Sequence, residues 1–189
     1  IEEFISGLEF CVELAPVVIE KIMHWKWFIL ALHNTLQGVC VCALRGQDTA
    51  GISMLTKSSA KEVWYWLDVE SRKKTHLPMP KEKLASMTEL FKRVQKSEIL
   101  RDPHRFPSNY EITEDVLKLN RLRNDFSHFV PKGFSLEVSG MPRITRHCCD
   151  VIEHLAVKYS TFGHHLNGSQ RDRITNSLSR LLNKMDEWD

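Results

Sequence analysis

Arg123, Asn124, Ser127 and His128 lie within one short stretch, RLRNDFSHFVP, residues 121–131. They offer a guanidinium fork, a carboxamide, a hydroxyl and an imidazole. A guanidinium binds two oxygens of a phosphate at once, and an imidazole takes up or releases a proton near neutrality. The chemistry open to these side chains at this spacing is the holding and attack of a phosphodiester. The bland alternative is the polar end of a helix, stopped by Pro131 and Gly133.

The stretch belongs to a helix whose apolar residues Val116, Leu119, Leu122, Phe126 and Phe129 fall in one sector at about 100° per residue. Thr113 followed by Glu114 and Asp115 reads as its start, a hydroxyl cap with carboxylates at the positive end. Asn120, Arg123, Asn124, Ser127 and His128 fill the adjoining sector, with Arg123 on the border of the apolar stripe. A guanidinium there must meet a carboxylate, a carbonyl or an incoming anion. Asn124 can touch His128, and Arg123 can touch Ser127, each four residues on. Arg123 and His128 stand about 140° apart on an ideal helix. Their convergence on one substrate requires long side chains, a frayed helix end, or a second copy of the helix.

The rest of the chain supplies helices to position this one. Apolar spacing predicts a long first helix from near Phe10 through Leu44, with a kink or break around Pro16, ended by Gly46. A second covers AKEVWYWLDVESRK, and a third covers PKEKLASMTELFKRVQ, with Pro80 in its first turn. The motif helix is the fourth. A fifth runs from Met141 or Pro142 to Tyr159, and a sixth enters at Ser169. GFSLEVSGMP alternates for a few residues and reads as a short hairpin arm or extended loop. The expected fold class is all-α, a bundle of about six helices in a single domain, residues 1–189.

Two loops carry further cations. SRKKTHLPMP reads as a basic solvated connector. RDPHRFPSNY, residues 101–110, sets Arg101 and Arg105 among Phe106 and Tyr110, a mixture suited to single-stranded bases and phosphates. These two arginines join Asn120 and Ser127 as candidate substrate contacts. GQDTAGISMLTKSS lacks a Gly-Lys-Ser/Thr ending and is a loop, not a phosphate-binding P-loop.

The formal net charge of +2 gives no strong global pull on nucleic acid. Five scattered cysteines do not form a disulfide framework, which predicts a reducing, cytoplasmic setting. The apolar run Trp25 to Leu44 is interrupted by Lys26, His33, Asn34 and Gln37 and reads as a core helix, not a membrane span. No basic-then-apolar leader opens the sequence, so the Asn167 sequon carries no weight. His147, Cys148, Cys149, His154, His164 and His165 could be imagined as zinc ligands, but no Cys-x-x-Cys pair supports them, and no metal is expected. Trp25/Trp27 and Trp64/Trp66 point to nearly opposite sides of their helices, one side for core and one for an interface.

The run Arg123-Asn124-Asp125-Phe126-Ser127-His128, near the end of a helix in an all-helical chain, resembles the signature of the HEPN (higher eukaryotes and prokaryotes nucleotide-binding) superfamily. That signature is an arginine, a polar residue, and a histidine four to six intervening residues on. The resemblance implies a metal-independent, cofactor-free endoribonuclease of toxin, defence or RNA-processing type, with RNA as partner and a possible antitoxin protein. Two motifs, one from each subunit of a homodimer, would face each other across a cleft, which answers the 140° separation. It assigns His128 as acid/base, Arg123 as the fork on the phosphorane oxygens, and Asn124 as the group orienting them. The rival reading is a non-catalytic helical module in which Arg123 and His128 only hold a buried polar network.

Overall fold

A computed structural model describes residues 1–48, 50–73, 78–127 and 140–188, and among these residues the chain forms seven α-helices. They are α1 (Glu2–Glu20), α2 (Trp25–Arg45), α3 (Lys57–Lys73), α4 (Met87–Val94), α5 (Tyr110–Ser127), α6 (Met141–Glu153) and α7 (Gly168–Asp186). The fold is all-α and 75% helical. Among the described residues the extended structure amounts to one antiparallel bridge, Leu55 with Leu84. The expected hairpin arm at 134–139 and the stop at Pro131 and Gly133 lie outside the described residues.

The expected long first helix is two helices. Pro16 sits inside α1, and the break falls later, where Lys21 turns extended and a 3₁₀ turn at Ile22–His24 reverses the chain. Reversal lays α1 antiparallel on α2, with glycines at the closest approach. A Cβ on Gly7 would stand 2.6 Å from Thr35 Oγ1, and one on Gly38 would stand 2.8 Å from Phe4 Cβ. α2 is the central element, packed against α1, α4, α5 and α6. By length and composition it could cross a membrane, yet most of its apolar window is buried in the fold. Trp25 is buried against Phe28 and Trp188, while Trp27, two residues on, is 52% exposed.

Two other boundaries move for reasons of capping. α4 begins at Met87 and not at Pro80, because Ser86 Oγ accepts the Glu89 N–H. The preceding residues are tied down instead by Thr56 N–H to Lys83 O and Ala85 N–H to Met54 O. α5 begins at Tyr110 and not at Thr113, because Asn109 Oδ1 accepts the Ile112 N–H. α6 gives way after Glu153 to a π-turn, His154–Lys158. α7 is entered through a capping box of Asn167 and Gln170.

Two polar struts hold the helices in register. Arg93 of α4, 8% exposed, donates to the carbonyls of Ser53 and Leu55 and pairs with Glu89. Asp115 of α5, 2% exposed, accepts two bonds from Arg143 and one from His147, both on α6. At the chain's ends, Arg173 of α7 forks onto Glu2 and Glu9 of α1.

Candidate functional site

Asn120, Arg123 and Asn124 are half-buried along one edge of α5, and Ser127 is exposed at its end. Arg123 Nη1 donates to Asn124 Oδ1 at 3.0 Å, so the carboxamide orients the guanidinium, as its adjacent position allows. Ser127 Oγ donates back to the Arg123 carbonyl at 2.9 Å, a local helix bond that keeps the hydroxyl at the helix surface. His128, the acid/base candidate, lies outside the described residues.

Arg123 differs from the other sheltered arginines. Five arginines are at least partly buried in the described residues: Arg93, Arg105, Arg123, Arg146 and Arg173. Four have a carboxylate: Glu89 for Arg93, Asp102 for Arg105, Asp186 for Arg146, and Glu2 with Glu9 for Arg173. Arg123 has no carboxylate partner among the described residues. A half-desolvated cation without a counter-charge is costly, and an anion would relieve it.

The edge of α5 is held by a residue that the sequence reading passed over as a mere interruption. His33 of α2, 2% exposed, places Nε2 3.1 Å from Asn120 Oδ1. A carboxamide oxygen can only accept, so Nε2 carries the proton and Nδ1 is bare. Nδ1 is buried with no hydrogen-bond partner among the described residues. Burial pulls His33 below the ordinary imidazole range; the Asn120 bond and nearby Asn34 oppose this, and the positive charge of Arg123 adds to it. The signal was present in the sequence: at 100° per residue His33 shares a sector with Ile29, Leu36 and Cys40, all three buried. A histidine in that stripe had to find a polar partner on the facing helix.

Arg101 and Arg105 do not join this edge. α5 and α6 run antiparallel, since Asp115 meets Arg143 and His147 while Lys118 approaches Gly140. The loop carrying both arginines docks on the π-turn after α6, where His104 Nδ1 donates to the Tyr159 carbonyl and His154 Nε2 to the Arg105 carbonyl. That is the Tyr110 end of α5, and Arg123 lies 13 residues on, about 20 Å away along the axis. Arg105 is paired with Asp102 at 2.6 Å, and Arg101 is exposed.

Four of the six candidate zinc ligands are engaged elsewhere in the fold. His147 holds Asp115, His154 holds the docked loop, and Cys148 and Cys149 are in the core. Among the described residues no three His, Cys, Asp or Glu side chains cluster as a metal site. Across α2 from its core face runs a groove of about 1110 Å³, lined by Phe10, Trp27, Asn34, Gln37, Val41 and Arg45 among others. Asn34, next to His33 in α2, lines this groove.

No family model, curated protein or solved structure matches this chain.

Proposed function

We propose that this chain is a metal-independent endoribonuclease of the HEPN type, with Arg123, Asn124 and His128 as its catalytic group. The observation that carries the proposal is the half-buried guanidinium of Arg123, oriented by Asn124 and left without a carboxylate among the described residues. A structural arginine in this fold is neutralised, as Arg93 and Arg173 are. A phosphate-binding arginine must keep its charge for the substrate.

In this mechanism an imidazole removes the proton from a ribose 2′-hydroxyl, and the oxygen attacks the adjacent phosphorus. The bond to the 5′-oxygen breaks, that oxygen takes a proton from an imidazolium, and the product ends in a 2′,3′-cyclic phosphate. Two proton transfers on opposite sides of phosphorus call for two imidazoles, so His128 acts with the His128 of a second copy. Arg123 meets the charge that grows on the non-bridging oxygens. The exposed Trp27 and Phe10 beside the α2 groove give a second copy apolar surface to cover. The biological setting proposed is toxin, defence or RNA processing, with an antitoxin protein as possible partner.

The test incubates wild type and His128→Ala with single-stranded RNA in excess chelator and follows cyclic-phosphate ends. A positioned acid/base contributes about 10² to 10⁴-fold, so the variant should lose at least a hundredfold. Equal cleavage by both removes His128 from the mechanism. No cleavage by wild type across varied RNAs supports the non-catalytic module.

A further inference from the structure

Buried histidines cost stability unless their ring nitrogens are used, and His33 uses only one. Its Nε2–H is committed to Asn120, three residues before Arg123 on the same edge of α5. Its Nδ1 makes no hydrogen bond to a described residue, although the Asn34 side chain lies near the ring. The groups that act on the ring are Asn120 and Arg123 from α5 and Asn34 from its own helix; among the described residues Arg123 supplies the only charge. A neutral imidazole is therefore one hydrogen bond away from the helix edge that carries Arg123, whose guanidinium has no carboxylate partner among the described residues. Burial is the main reason the ring stays neutral, and the positive charge of Arg123 adds to it.

We propose that His33 is a positioning residue for the phosphate-binding edge of α5: through Asn120 it fixes the stretch of helix that carries Arg123, and it takes up a proton when an anionic phosphate neutralises Arg123. The inference rests on the reading of Arg123 as the phosphate fork. The physical step is linkage. An anion at Arg123 cancels the guanidinium's share of the penalty that burial mainly imposes on protonating the ring, so Nδ1 takes up a proton more readily, and by reciprocity the proton strengthens anion binding. His33 touches no substrate in this scheme. It sets where Arg123 stands and makes the affinity of that edge depend on pH.

The experiment uses the full chain in a His128→Ala background, so that His128 does not contribute to the titration, and a 2′-O-methyl RNA oligonucleotide, which lacks the attacking hydroxyl. Affinity is measured by fluorescence anisotropy from pH 8 to pH 5.5, and each variant's melting temperature is recorded. His33→Gln retains an N–H for Asn120 but cannot titrate, whereas His33→Leu removes the donor. The expected result is that His33→Gln binds within about threefold of its parent at pH 8. It should also lose at least about fivefold of the parent's tightening on acidification, in the range of ordinary coupling between sites. His33→Leu, while folded, should bind more weakly than both at every pH.

Arg123→Ala in the same background separates the two failures. If it abolishes binding while His33→Gln and the parent trace the same pH profile, His33 is a core histidine and the inference falls alone. If Arg123→Ala binds like its parent, the phosphate fork is misassigned and both readings fall. If His33→Leu does not fold, the profile of His33→Gln decides.

Discussion

Arg123→Ala should separate function from stability in a way that Arg93→Ala cannot. In the folded protein Arg123 makes one side-chain hydrogen bond, to Asn124 at 3.0 Å, and no ion pair with a described residue. Its truncation removes one partly exposed bond, with a net contribution of about 1 kcal/mol, and relieves the cost of an unpaired, half-desolvated charge. The expected loss is 1 kcal/mol or less, about 2 to 4 °C in Tm for a chain of this size. Cleavage should fall much further, since removing one donor that meets developing charge costs about 10² to 10³-fold in kcat.

Arg93 supplies the contrast. It bonds Ser53 O at 2.8 Å, Leu55 O at 2.7 Å and Glu89 Oε1 at 3.1 Å, and it is 8% exposed. Arg93→Ala strips a charged donor from two sheltered carbonyls, at about 1 to 3 kcal/mol each, so it should cost roughly 3 kcal/mol or more and about 6 to 12 °C. The assay pairs thermal denaturation by circular dichroism with cleavage of single-stranded RNA. If Arg123→Ala melts as low as Arg93→Ala, Arg123 is a structural strut; if it melts normally and cleaves normally, it is not the phosphate fork.

Three further outcomes are expected. His33 and His154 are both held below the 6.5 of a free imidazole, chiefly by burial; the unfolded chain then binds more protons below that pH, so their contribution is complete above about pH 6.5 and shrinks on acidification. Denaturant midpoints at pH 7.5, 6.0 and 5.0 should fall, at most about 1.4 kcal/mol per pH unit from His33, and a midpoint that rises towards pH 5 contradicts this. Gly38→Ala drives a Cβ to 2.8 Å from Phe4 Cβ and should cost about 1 to 3 kcal/mol by overpacking, checked by urea denaturation. The Cys11 thiol is pushed up to about 12 by burial, and those of Cys40, Cys148 and Cys149 are also raised; an aromatic disulfide reagent at pH 8 should leave these four unmodified over minutes in native protein and titrate all five cysteines in guanidinium.

Helical periodicity carried the architecture because it records burial directly: Leu119 and Val116 of the motif helix are buried as their spacing requires. Element ends were less legible, since they turn on which neighbouring polar group caps the helix. Asn109 and Ser86 are ordinary loop residues until their oxygens are seen to accept an N–H. The first break was placed at Pro16 because proline removes a helical hydrogen bond, whereas the reversal depends on α1 folding back against Gly38. Within the site, Arg123 and Asn124 were legible as a pair from adjacency and type. The apolar stripe of α2 marked His33 as needing a polar partner, but not which one, because Asn120 is 87 residues distant and no local pattern reports such a pairing. The same holds for Asp115, which reads as an acid in the first turn and is instead the buried anchor of α6.

The fork of Arg173 onto Glu2 and Glu9 also sets a delay. Glu9 is translated 164 residues before the arginine that neutralises it. At about 5 to 20 residues per second, that separation is roughly 10 to 30 s of synthesis, during which α1 can pair with α2 across its glycines but has its acidic edge facing water. The first hairpin can form early, whereas the face of α1 that meets α7 must wait until Arg173 has been made. In that interval α1 relies on hydration of Glu2 and Glu9 to keep its unfinished side from other apolar surfaces.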